Sequence, residues 1–308
     1  MNAVTNFLTR NCPACGANGG TAEKSSAQPA ESLSLDELKP YWRGLFQEKV
    51  FFTYDRCGQC GLLYAPVFFD QAQLGELYSA MAPNMDAVPT DAIEATQRVY
   101  FEEATAGLGV SGNVLEIGPD VGYIVGHAAK DERFERFYLF EPNKAVHGEL
   151  AAAANGRPST TSEDMNDLSA VPDGSVALAL MVHVLDHLLD PRAMLEQIRK
   201  KLKPGGRVAI VTHNERSLLR SVMGKRWPPF CLQHPELYNP QSITRLLNSA
   251  GYGKVEVHGS KNYFPLSFMV RQAAYTAGLK LERVPLPKIV LGLRLGNIMT
   301  IASNSSTS

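Results

Sequence analysis

The chain has 308 residues, of which 44% are apolar and 20% are charged, and its formal net charge is −1. This composition is typical of a folded globular protein, and the near-neutral charge provides no field that would attract nucleic acid or an anionic membrane. No stretch approaches the roughly 20 apolar residues of a membrane-spanning helix, and the first ten residues lack the apolar core of a signal peptide. We therefore expect a cytoplasmic protein with no membrane span, no nucleic-acid partner, and one large or two smaller domains.

Two Cys-x-x-Cys pairs lie near the start of the chain: Cys12 with Cys15, and Cys57 with Cys60. Each pair places two thiolates on one tight turn, and two such turns facing each other complete a tetrahedral four-cysteine site without an open position. We therefore predict a structural zinc ion; disulfides are the alternative, and they would require an oxidising compartment. The spacer between the pairs is long for a zinc ribbon, and its small, polar residues 17–40 predict a flexible insert.

Strands and helices are predicted around and after the second cysteine pair. The segments VFFTYDRC and GLLYAPVFF on either side of it are typical of the strands of a β-ribbon. A short helix capped by Asp70 follows, and then a longer helix that begins near Thr90 and ends at Gly107 or Gly109. The sequence therefore predicts a zinc-ribbon module over residues 1–68 and a helical connector over 69–110.

Strands and helices alternate from residue 113 onwards. The predicted strands have nearly continuous apolar cores, and they are NVLEI, RFYLF, VALALMV, GRVAIVT and, near the end of the chain, NIMTIA. Such strands are typical of a parallel sheet with helices on both faces. We therefore predict an α/β fold with a doubly wound, Rossmann-like sheet over residues 111–302 and a ligand at the carboxyl ends of its strands. The apolar insertion 262–296 either caps a substrate pocket or forms a homodimer surface, and residues 303–308 are expected to be disordered.

The stretch VLEIGPDVGY spans the end of the first of these strands and the loop after it. A dinucleotide-binding loop has glycines at its first, third and sixth positions. Counted from Gly118, only the first position matches, because Asp120 and Tyr123 occupy the other two. The pattern acidic-x-Gly-x-Gly-x-Gly of class I S-adenosylmethionine (SAM) dependent methyltransferases fits better, since Glu116, Gly118 and Gly122 match it and only Asp120 departs from it.

The chain resembles this superfamily from about residue 95 to 260, because FEPN, SEDMNDL, PDGSVALALMVHVLDHLLDP and KPGGRVAIV resemble its further motifs. The resemblance implies a seven-stranded methyltransferase sheet and SAM as cofactor. It implies that Glu141 accepts from the ribose hydroxyls and that an acid after the third strand faces the adenine amino group. The implied cofactor-binding residues are Glu116, Gly118, Asp120, Gly122, Glu141, Glu163, Asp164, Met165 and His183.

Asp120 replaces a glycine of the SAM-loop pattern. Asp adopts a positive φ more easily than most residues other than glycine, so we expect Asp120 to preserve the turn. Its carboxylate would then face the cationic end of the cofactor. The alternative is a degenerate loop in a protein that binds SAM without catalysis.

A four-cysteine ribbon ahead of such a domain resembles a subgroup that includes sugar-nucleotide C-methyltransferases and small-molecule O-methyltransferases. This resemblance implies methyl transfer to a small molecule or biosynthetic intermediate, at oxygen in preference to carbon or nitrogen. Sugar C-methylation is an alternative. The glycine spacing argues against an NAD-dependent oxidoreductase, and the neutral charge argues against a nucleic-acid methyltransferase.

The motif HVLDH places His183 and His187 directly after the predicted strand VALALMV. A hydroxyl or carbon acid must lose a proton during methylation, and imidazole, with a pKa near 6.5, suits that task. In the sugar C-methyltransferases the corresponding motif ends in a histidine implicated in proton transfer, so the resemblance carries that role to His187. An orienting or packed histidine is the alternative. A metal pair is disfavoured because the sequence shows neither an HExxH pattern nor a clear third ligand.

Further candidates lie after the predicted strand GRVAIVT, where the family builds its substrate wall. His234 and Tyr238 are the polar residues of interest in GKRWPPFCLQHPELYNPQSI. Trp227 and Phe230 either form an apolar lid or pack in the core. Tyr78, between the zinc module and the catalytic domain, is a candidate to reach the pocket.

Overall fold

The N-terminal part of the chain is a small β-rich module in the computed structural model, which describes residues 6–42, 50–79, 89–276 and 289–304. Its elements are β1 (Leu8–Thr9), β2 (Thr21–Lys24), α1 (Leu35–Leu38), β3 (Tyr54–Arg56), β4 (Leu63–Tyr64) and β5 (Val67–Phe68), with 3-10 turns at Ala30–Ser32 and Lys39–Tyr41. Strands β2, β3 and β4 form an antiparallel ribbon, and β1 pairs with β5. These short strands bring the two cysteine pairs together.

Residues 17–40, which the sequence predicts to be flexible, contain regular structure. Strand β2 pairs with β3, and Ser34 and Glu37 cap α1 reciprocally. Ala30 and Leu38 are fully buried. The small, polar composition of the insert therefore does not indicate flexibility, because backbone pairing and two buried apolar side chains order this segment.

Two helices connect the module to the rest of the chain: α2 (Gln71–Ser79) and α3 (Thr90–Thr105). The carboxylate of Asp70 accepts from the backbone N–H of Gln73, as expected for the cap of α2. The predicted start of α3 is confirmed, and the helix ends just before the left-handed Gly107.

The remaining elements alternate as the apolar pattern predicts. They are β6 (Gly112–Ile117), α4 (Tyr123–Ala128), β7 (Phe134–Phe140), α5 (His147–Ala153), β8 (Ser159–Ser162), β9 (Val176–Val182), α6 (Pro191–Lys201), β10 (Leu202–His213), α7 (Leu218–Met223), β11 (Glu236–Leu237), α8 (Pro240–Ser249), β12 (Tyr252–Gly259), β13 (Asn262–Pro265), α9 (Leu266–Thr276), β14 (Val290–Leu293) and β15 (Asn297–Asn304).

Seven of these strands form one sheet in the order β12-β15-β10-β9-β6-β7-β8. Strands β6 to β10 run parallel, and β15 inserts antiparallel between β10 and β12. Helices α3, α4 and α5 pack their apolar residues on one face, and α6 and α8 cover the other. The predicted doubly wound, seven-stranded fold is confirmed.

The strand order reverses at β6, which pairs with β7 on one side and with β9 on the other. Loops that leave neighbouring strands in opposite directions open a crevice at the carboxyl ends of those strands, and ligands of such sheets bind there. The glycine loop after β6 and the HVLDH motif after β9 flank this crevice.

The N-terminal module shares its ribbon with the larger part of the chain, because β11 pairs with β4. The Tyr54 hydroxyl donates to the carbonyl of His234 at 2.6 Å, and Arg10 forms a 2.8 Å ion pair with the buried Glu236. The module therefore holds the segment that carries His234. A domain boundary at residue 68 remains a prediction.

The insertion 262–296 begins and ends with the hairpin of β13 and β14, and α9 follows β13. Residues 277–288 lie outside the described residues, as does most of the tail that the sequence predicts to be disordered; β15 extends to Asn304. None of the described helices is both long and apolar enough to cross a membrane.

Candidate active site

The loop after β6 contains three residues with left-handed backbone: Gly118 at φ 67°, Asp120 at φ 51° and Gly122 at φ 84°. A Cβ atom on Gly118 would lie 2.6 Å from Cγ2 of Val184, so both conformation and space require glycine there. Asp120 has the conformation that the sequence predicts for the residue replacing a glycine. The loop therefore keeps the turn of the SAM-binding pattern.

Two buried carboxylates lie behind this loop. Glu141 accepts from the backbone N–H of Asp120 at 3.0 Å and of Asn143 at 2.8 Å, which fixes its carboxylate and leaves further lone pairs for a ligand. Burial raises the pKa of Glu141, against the effect of these two N–H donors. Glu116 is 3% exposed, and burial together with Glu141 raises its pKa to about 8.

These groups fit SAM. Oε2 of Glu116 is buried and has no hydrogen-bond partner among the described residues, so it is available to form a hydrogen bond with a polar group of a ligand. Glu141 offers a fixed acceptor for a pair of ribose hydroxyls. The left-handed turn lets the backbone approach the methionine end closely.

The predicted adenine-side residues follow β8. Glu163 is exposed and forms a 2.9 Å ion pair with Lys144, and Asp164 accepts from the backbone N–H of Asn166. Met165 is partly buried against the sheet core. The described contacts leave the adenine-binding role of these three residues a prediction.

Four of the seven histidines of the chain meet at the carboxyl edge of β9 and β10. The ring centroids lie 4.5 Å apart for His183 and His213, 5.2 Å apart for His213 and His234, and 4.7 Å apart for His187 and His234. We call these four residues, with Asp186, the histidine cluster. His183, His187 and His213 are partly exposed, whereas His234 is 3% exposed and Asp186 is fully buried.

The turn between His183 and His187 positions three members of the cluster. His183 has a φ of 53°, a conformation that residues other than glycine rarely adopt and that concentrates at functional sites. A 3-10 turn over Leu185–His187 then points Asp186 inward. The Tyr78 hydroxyl lies 3.0 Å from Nδ1 of His187, so this candidate residue reaches the cluster.

The cluster contains one clear cation–anion combination. Burial disfavours the charged form of Asp186, yet the surrounding histidines, His234 first among them, lower its pKa to about 2. Burial likewise opposes charge on His234, but Cys231, Asp186 and the carbonyl of Pro229 raise its pKa to about 9. At neutral pH the base of the cluster therefore holds an ionised carboxylate and an imidazolium.

The other three imidazoles are neutral. Burial, reinforced by the positive charge of His234, lowers the pKa of His187 to about 3. Burial also lowers the pKa of His183, and it holds that of His213 well below the usual range. Neutral imidazoles can accept protons, so the partly exposed rim of the cluster suits proton transfer.

Sequence reasoning found His183, His187 and His234 but missed His213, Asp186 and Asn297. Nδ1 of His213 lies 3.1 Å from Oδ1 of Asn297, and Nε2 of His183 lies 3.1 Å from Nδ2 of the same amide. His213 could have been recognised as a candidate from the sequence, because it is a polar residue at the carboxyl end of an apolar strand. Asn297 gave no local signal, because the antiparallel insertion of β15 brings it to this edge.

The structure does not bring every predicted residue into the cluster. The Tyr238 hydroxyl is buried and donates to Glu236 at 3.4 Å, on the side of the zinc module. Trp227 packs edge to face on Phe230, and Phe230 stacks on Phe51 in the core. Of the two alternatives for Trp227 and Phe230, an apolar lid or core packing, the contacts favour core packing.

An open cavity of about 590 Å³ lies at the same edge of the sheet, and Asn297, whose amide contacts His183 and His213, lies on its wall. Apolar side chains of α7 and of the strands line most of it, and Arg216 and Arg294 also lie on its wall. Its size suits a small-molecule acceptor.

The four cysteines of the module form the second chemical centre. Sγ of Cys12 lies 3.4 Å from Sγ of Cys60, and Sγ of Cys15 lies 3.6 Å from Sγ of Cys57. A tetrahedral site with Zn–S bonds of about 2.3 Å separates its sulfurs by about 3.8 Å, so a small adjustment admits zinc. The set is a closed four-cysteine site of the kind that holds structural zinc.

Comparison with known proteins agrees with this geometry. A model of the Methyltransferase domain family matches residues 89–257, which is more than half of the chain. A ubiquinone biosynthesis O-methyltransferase of Thiobacillus denitrificans is 25% identical over 181 residues, which cover 56% of this chain and 68% of the relative. An ajmaline N-methyltransferase of Rauvolfia serpentina is 28% identical over 109 residues, 34% of this chain and 38% of that one.

Among the solved structures that match, one shares the fold over most of the length of both chains. It is the complex of the Haloferax volcanii Trm112 methyltransferase activator with a protein described as a methyltransferase, and it matches with a TM-score of 0.52 at 16% identity, over 71% of this chain and 93% of that one. With the left-handed SAM loop and its carboxylates in place, the chain belongs to the methyltransferase-domain family and is a SAM-dependent methyltransferase.

Proposed function

We propose that this protein transfers the methyl group of SAM to an oxygen of a small molecule, and that a histidine of the cluster takes up the proton of the acceptor. The observation that carries this proposal is the convergence of four histidines and a buried carboxylate beside the glycine loop. Val184, between His183 and Asp186, packs against Gly118 of that loop. The proton acceptors therefore lie next to the predicted cofactor site.

The residues of the crevice divide into two functional groups. SAM, when bound, supplies an electrophilic methyl group on a sulfonium. Glu141 and the loop residues Gly118, Asp120 and Gly122 would hold it, with Glu116 behind them. The partly exposed imidazoles would orient the acceptor hydroxyl and remove its proton, and the ionised Asp186 would stabilise the imidazolium that forms.

Oxygen is favoured over nitrogen because a hydroxyl must lose a proton as it is methylated, whereas a neutral amine already offers a lone pair. The O-methyltransferase and N-methyltransferase relatives both support a small-molecule acceptor. Sugar C-methylation is the second candidate, supported by the contact between the Tyr78 hydroxyl and His187, the residue to which the resemblance assigns proton transfer. Nucleic acid is not part of the proposal, and a homodimer through residues 262–296 remains a prediction.

The test is methyl transfer from isotopically labelled SAM to a panel of phenols, aliphatic alcohols, amines and sugar nucleotides, with products identified by mass spectrometry. Labelled O-methyl ethers are expected. A labelled C-methyl sugar would support the second candidate instead. Tight SAM binding without any product would favour a non-catalytic SAM-binding protein, and binding of NADH in place of SAM would overturn the assignment of the loop.

A further inference from the structure

We propose that Asn297 is a positioning residue that fixes the ring protons of His183 and His213 and so makes Nε2 of His213 the proton acceptor, a role that rests on the proposed function. Asn297 begins β15, directly opposite His213 at the end of β10. Its single side-chain amide contacts one ring nitrogen of each histidine.

The chemistry of the amide fixes the protons. Oδ1 of Asn297 can only accept, so Nδ1 of His213 carries the hydrogen and its Nε2 carries the lone pair. Nδ2 of Asn297 can only donate, so Nε2 of His183 carries a lone pair and the hydrogen of that neutral ring is on Nδ1. Because the amide has one donor atom and one acceptor atom, His213 must donate to it and His183 must accept from it.

The amide itself is held from behind. Nδ2 of Asn297 also donates to the Tyr100 hydroxyl at 3.2 Å, and Asn262 donates to the same oxygen at 2.7 Å. Tyr100 is 1% exposed on α3. This buried network fixes the position of the amide against both imidazoles.

The remaining histidines are less well placed to accept a proton. His234 donates from Nδ1 to the carbonyl of Pro229 at 2.7 Å, is buried, and is already protonated at neutral pH. Nδ1 of His187 faces the Tyr78 hydroxyl, which can donate or accept, so this contact fixes neither tautomer. The Nε2 lone pair of His183 is already bound by the amide. His213 is neutral and partly exposed, and its one hydrogen bond among the described residues is made by Nδ1, which leaves Nε2 with the lone pair.

The proton transfer balances in atoms and in charge. As the acceptor oxygen forms its bond to the methyl carbon, the methyl–sulfur bond breaks and its electron pair stays on sulfur. The acceptor O–H bond breaks, and its proton moves to Nε2 of His213. The resulting imidazolium keeps its Nδ1–H donated to Asn297. The titratable groups that face it are the ionised carboxylate of Asp186, the neutral ring of His183 and the protonated ring of His234.

The same geometry disfavours a metal at this place, although atoms of His183, Asp186 and His213 lie within 4.8 Å of one another. A metal ion needs a lone pair from each ring, and each ligating histidine normally donates its second N–H to an acceptor. A single amide cannot accept from both rings. Asn297→Asp would remove this obstacle, because a carboxylate accepts from both.

The experiment combines histidine nitrogen NMR with cobalt titration, using the zinc-loaded full chain. In the parent protein we expect the Nδ1–H tautomer for both rings, with the Nε2 of His183 hydrogen-bonded to the amide and the Nε2 of His213 free. In Asn297→Asp, His183 should switch to the Nε2–H tautomer, and the variant should bind about one added equivalent of Co²⁺ without the thiolate charge-transfer absorption of the four-cysteine site. The parent should bind none at the cluster.

Asn248→Asp is the matched control, because it makes the same Asn-to-Asp change at an exposed position near the end of α8, outside the network of Asn297 and Tyr100. It should leave both tautomers and the cobalt result unchanged. Any of three results would overturn the assignment of Asn297: an Nε2–H tautomer of His213 in the parent, cobalt binding at the cluster of the parent, or an unchanged His183 tautomer in Asn297→Asp. None of these measurements requires enzymatic turnover.

Kinetics address the role of His213 separately. His213→Gln should lower kcat at least a hundredfold while the Kd for SAM stays within a factor of about two. Full activity of that variant would reject His213 as the proton acceptor and leave the proposed methyl transfer standing. An inactive parent protein would instead reject the proposed function.

Discussion

Four cysteines meet in the N-terminal module and four histidines meet at the edge of the central sheet. The thiols have mainly one another as side-chain neighbours, at 3.4 and 3.6 Å. The imidazoles instead have different partners behind them: the amide of Asn297, the hydroxyl of Tyr78 and the carbonyl of Pro229. The hydrogen-bond partners of each cluster therefore indicate its function. Four thiols that mainly contact one another suit zinc binding, whereas imidazoles whose protons are fixed by neighbouring groups suit proton transfer.

The two centres are also mechanically linked. The ribbon that carries the cysteines pairs through β4 with β11, which closely follows His234. Arg10 and Tyr54 of the module both bind this segment. The zinc site should therefore support the histidine cluster at a distance.

The largest expected effect comes from Cys57→Ser. Structural zinc contributes on the order of 10–16 kcal/mol in isolated zinc-finger peptides, so loss of one ligand should unfold the module. Because the module holds the segment of His234, methyl transfer should be lost as well. Metal analysis, circular dichroism and the transfer assay measure the three consequences.

Cys231→Ser is the control for metal content, because this buried thiol lies beside His234 and outside the four-cysteine site. It should retain about one zinc per chain. A full equivalent of zinc in Cys57→Ser would show that the four cysteines do not form the site. Unchanged methyl transfer in a zinc-free variant would show that the zinc site does not support the histidine cluster.

Asp186→Asn should produce the next largest effect. It removes the carboxylate that stabilises a new imidazolium, so kcat should fall on the order of a hundredfold. It also removes one of the groups that raise the pKa of His234 to about 9, so that pKa should fall. Histidine ring NMR across the pH range, together with steady-state kinetics, measures both.

The sign of the linked stability change follows from the raised pKa of His234. A raised pKa stabilises the fold fully below the unfolded value of about 6.5, and this contribution is lost as the pH rises through about 9. In Asp186→Asn the loss should occur at lower pH. Asp173→Asn is the control: it removes an exposed carboxylate paired with Lys201 and should change neither kcat nor the pKa of His234. An unchanged pKa of His234 in Asp186→Asn would contradict the electrostatic account.

The cysteine site and the glycine loop could be predicted from sequence because each is local. Two Cys-x-x-Cys pairs and the run from Glu116 to Gly122 carry their geometry in a few neighbouring residues. Apolar segments likewise predicted five of the seven strands of the sheet. Strands β8 and β12 have no continuous apolar core and were not predicted individually, and the resemblance supplied the number seven. Even the left-handed φ of Asp120 followed from the residue type and its place in the pattern.

The histidine cluster could be predicted only in part, because its members come from separate strands. His183 and His187 share one motif, but His213 and Asn297 each stand alone at a strand end. Their meeting depends on β15 running antiparallel beside β10, which fixes His213 opposite Asn297. The proton assignment depends on contacts of about 3.1 Å, and no sequence pattern encodes them.

Glu141→Gln sharpens the comparison at the cofactor end of the crevice. The substitution keeps the shape of the side chain but removes the charged acceptor, and hydrogen bonds to charged groups contribute roughly 1.5–3 kcal/mol each. The affinity for SAM should fall at least tenfold, as measured by calorimetry. Glu135→Gln, at an exposed position near the opposite end of β7, is the comparison variant and should bind SAM like the parent. Equal affinities of parent and Glu141→Gln would mean that the ribose site lies elsewhere.

The smallest effect is expected at Asp120, the residue that replaces a glycine of the loop. Its backbone N–H donates to Glu141 and its φ is 51°, and glycine can preserve both features. Asp120→Gly should therefore leave the melting temperature nearly unchanged. Asp120→Ala should lower stability by about 1–2 kcal/mol, because alanine is strained in this conformation.

The affinities of the Asp120→Gly variant then report what the carboxylate does. SAM carries a sulfonium and an amino group, and the demethylated product S-adenosylhomocysteine keeps only the amino group. A carboxylate near the sulfonium would favour SAM over the product, whereas one near the amino group would favour both equally. We expect the second case, since the methionine end should lie along this loop, and so both ligands should bind a fewfold more weakly by calorimetry. Equal or tighter binding of both would make Asp120 a turn former only. The loop would then act through its backbone, whereas the cysteine turns act through their thiolates.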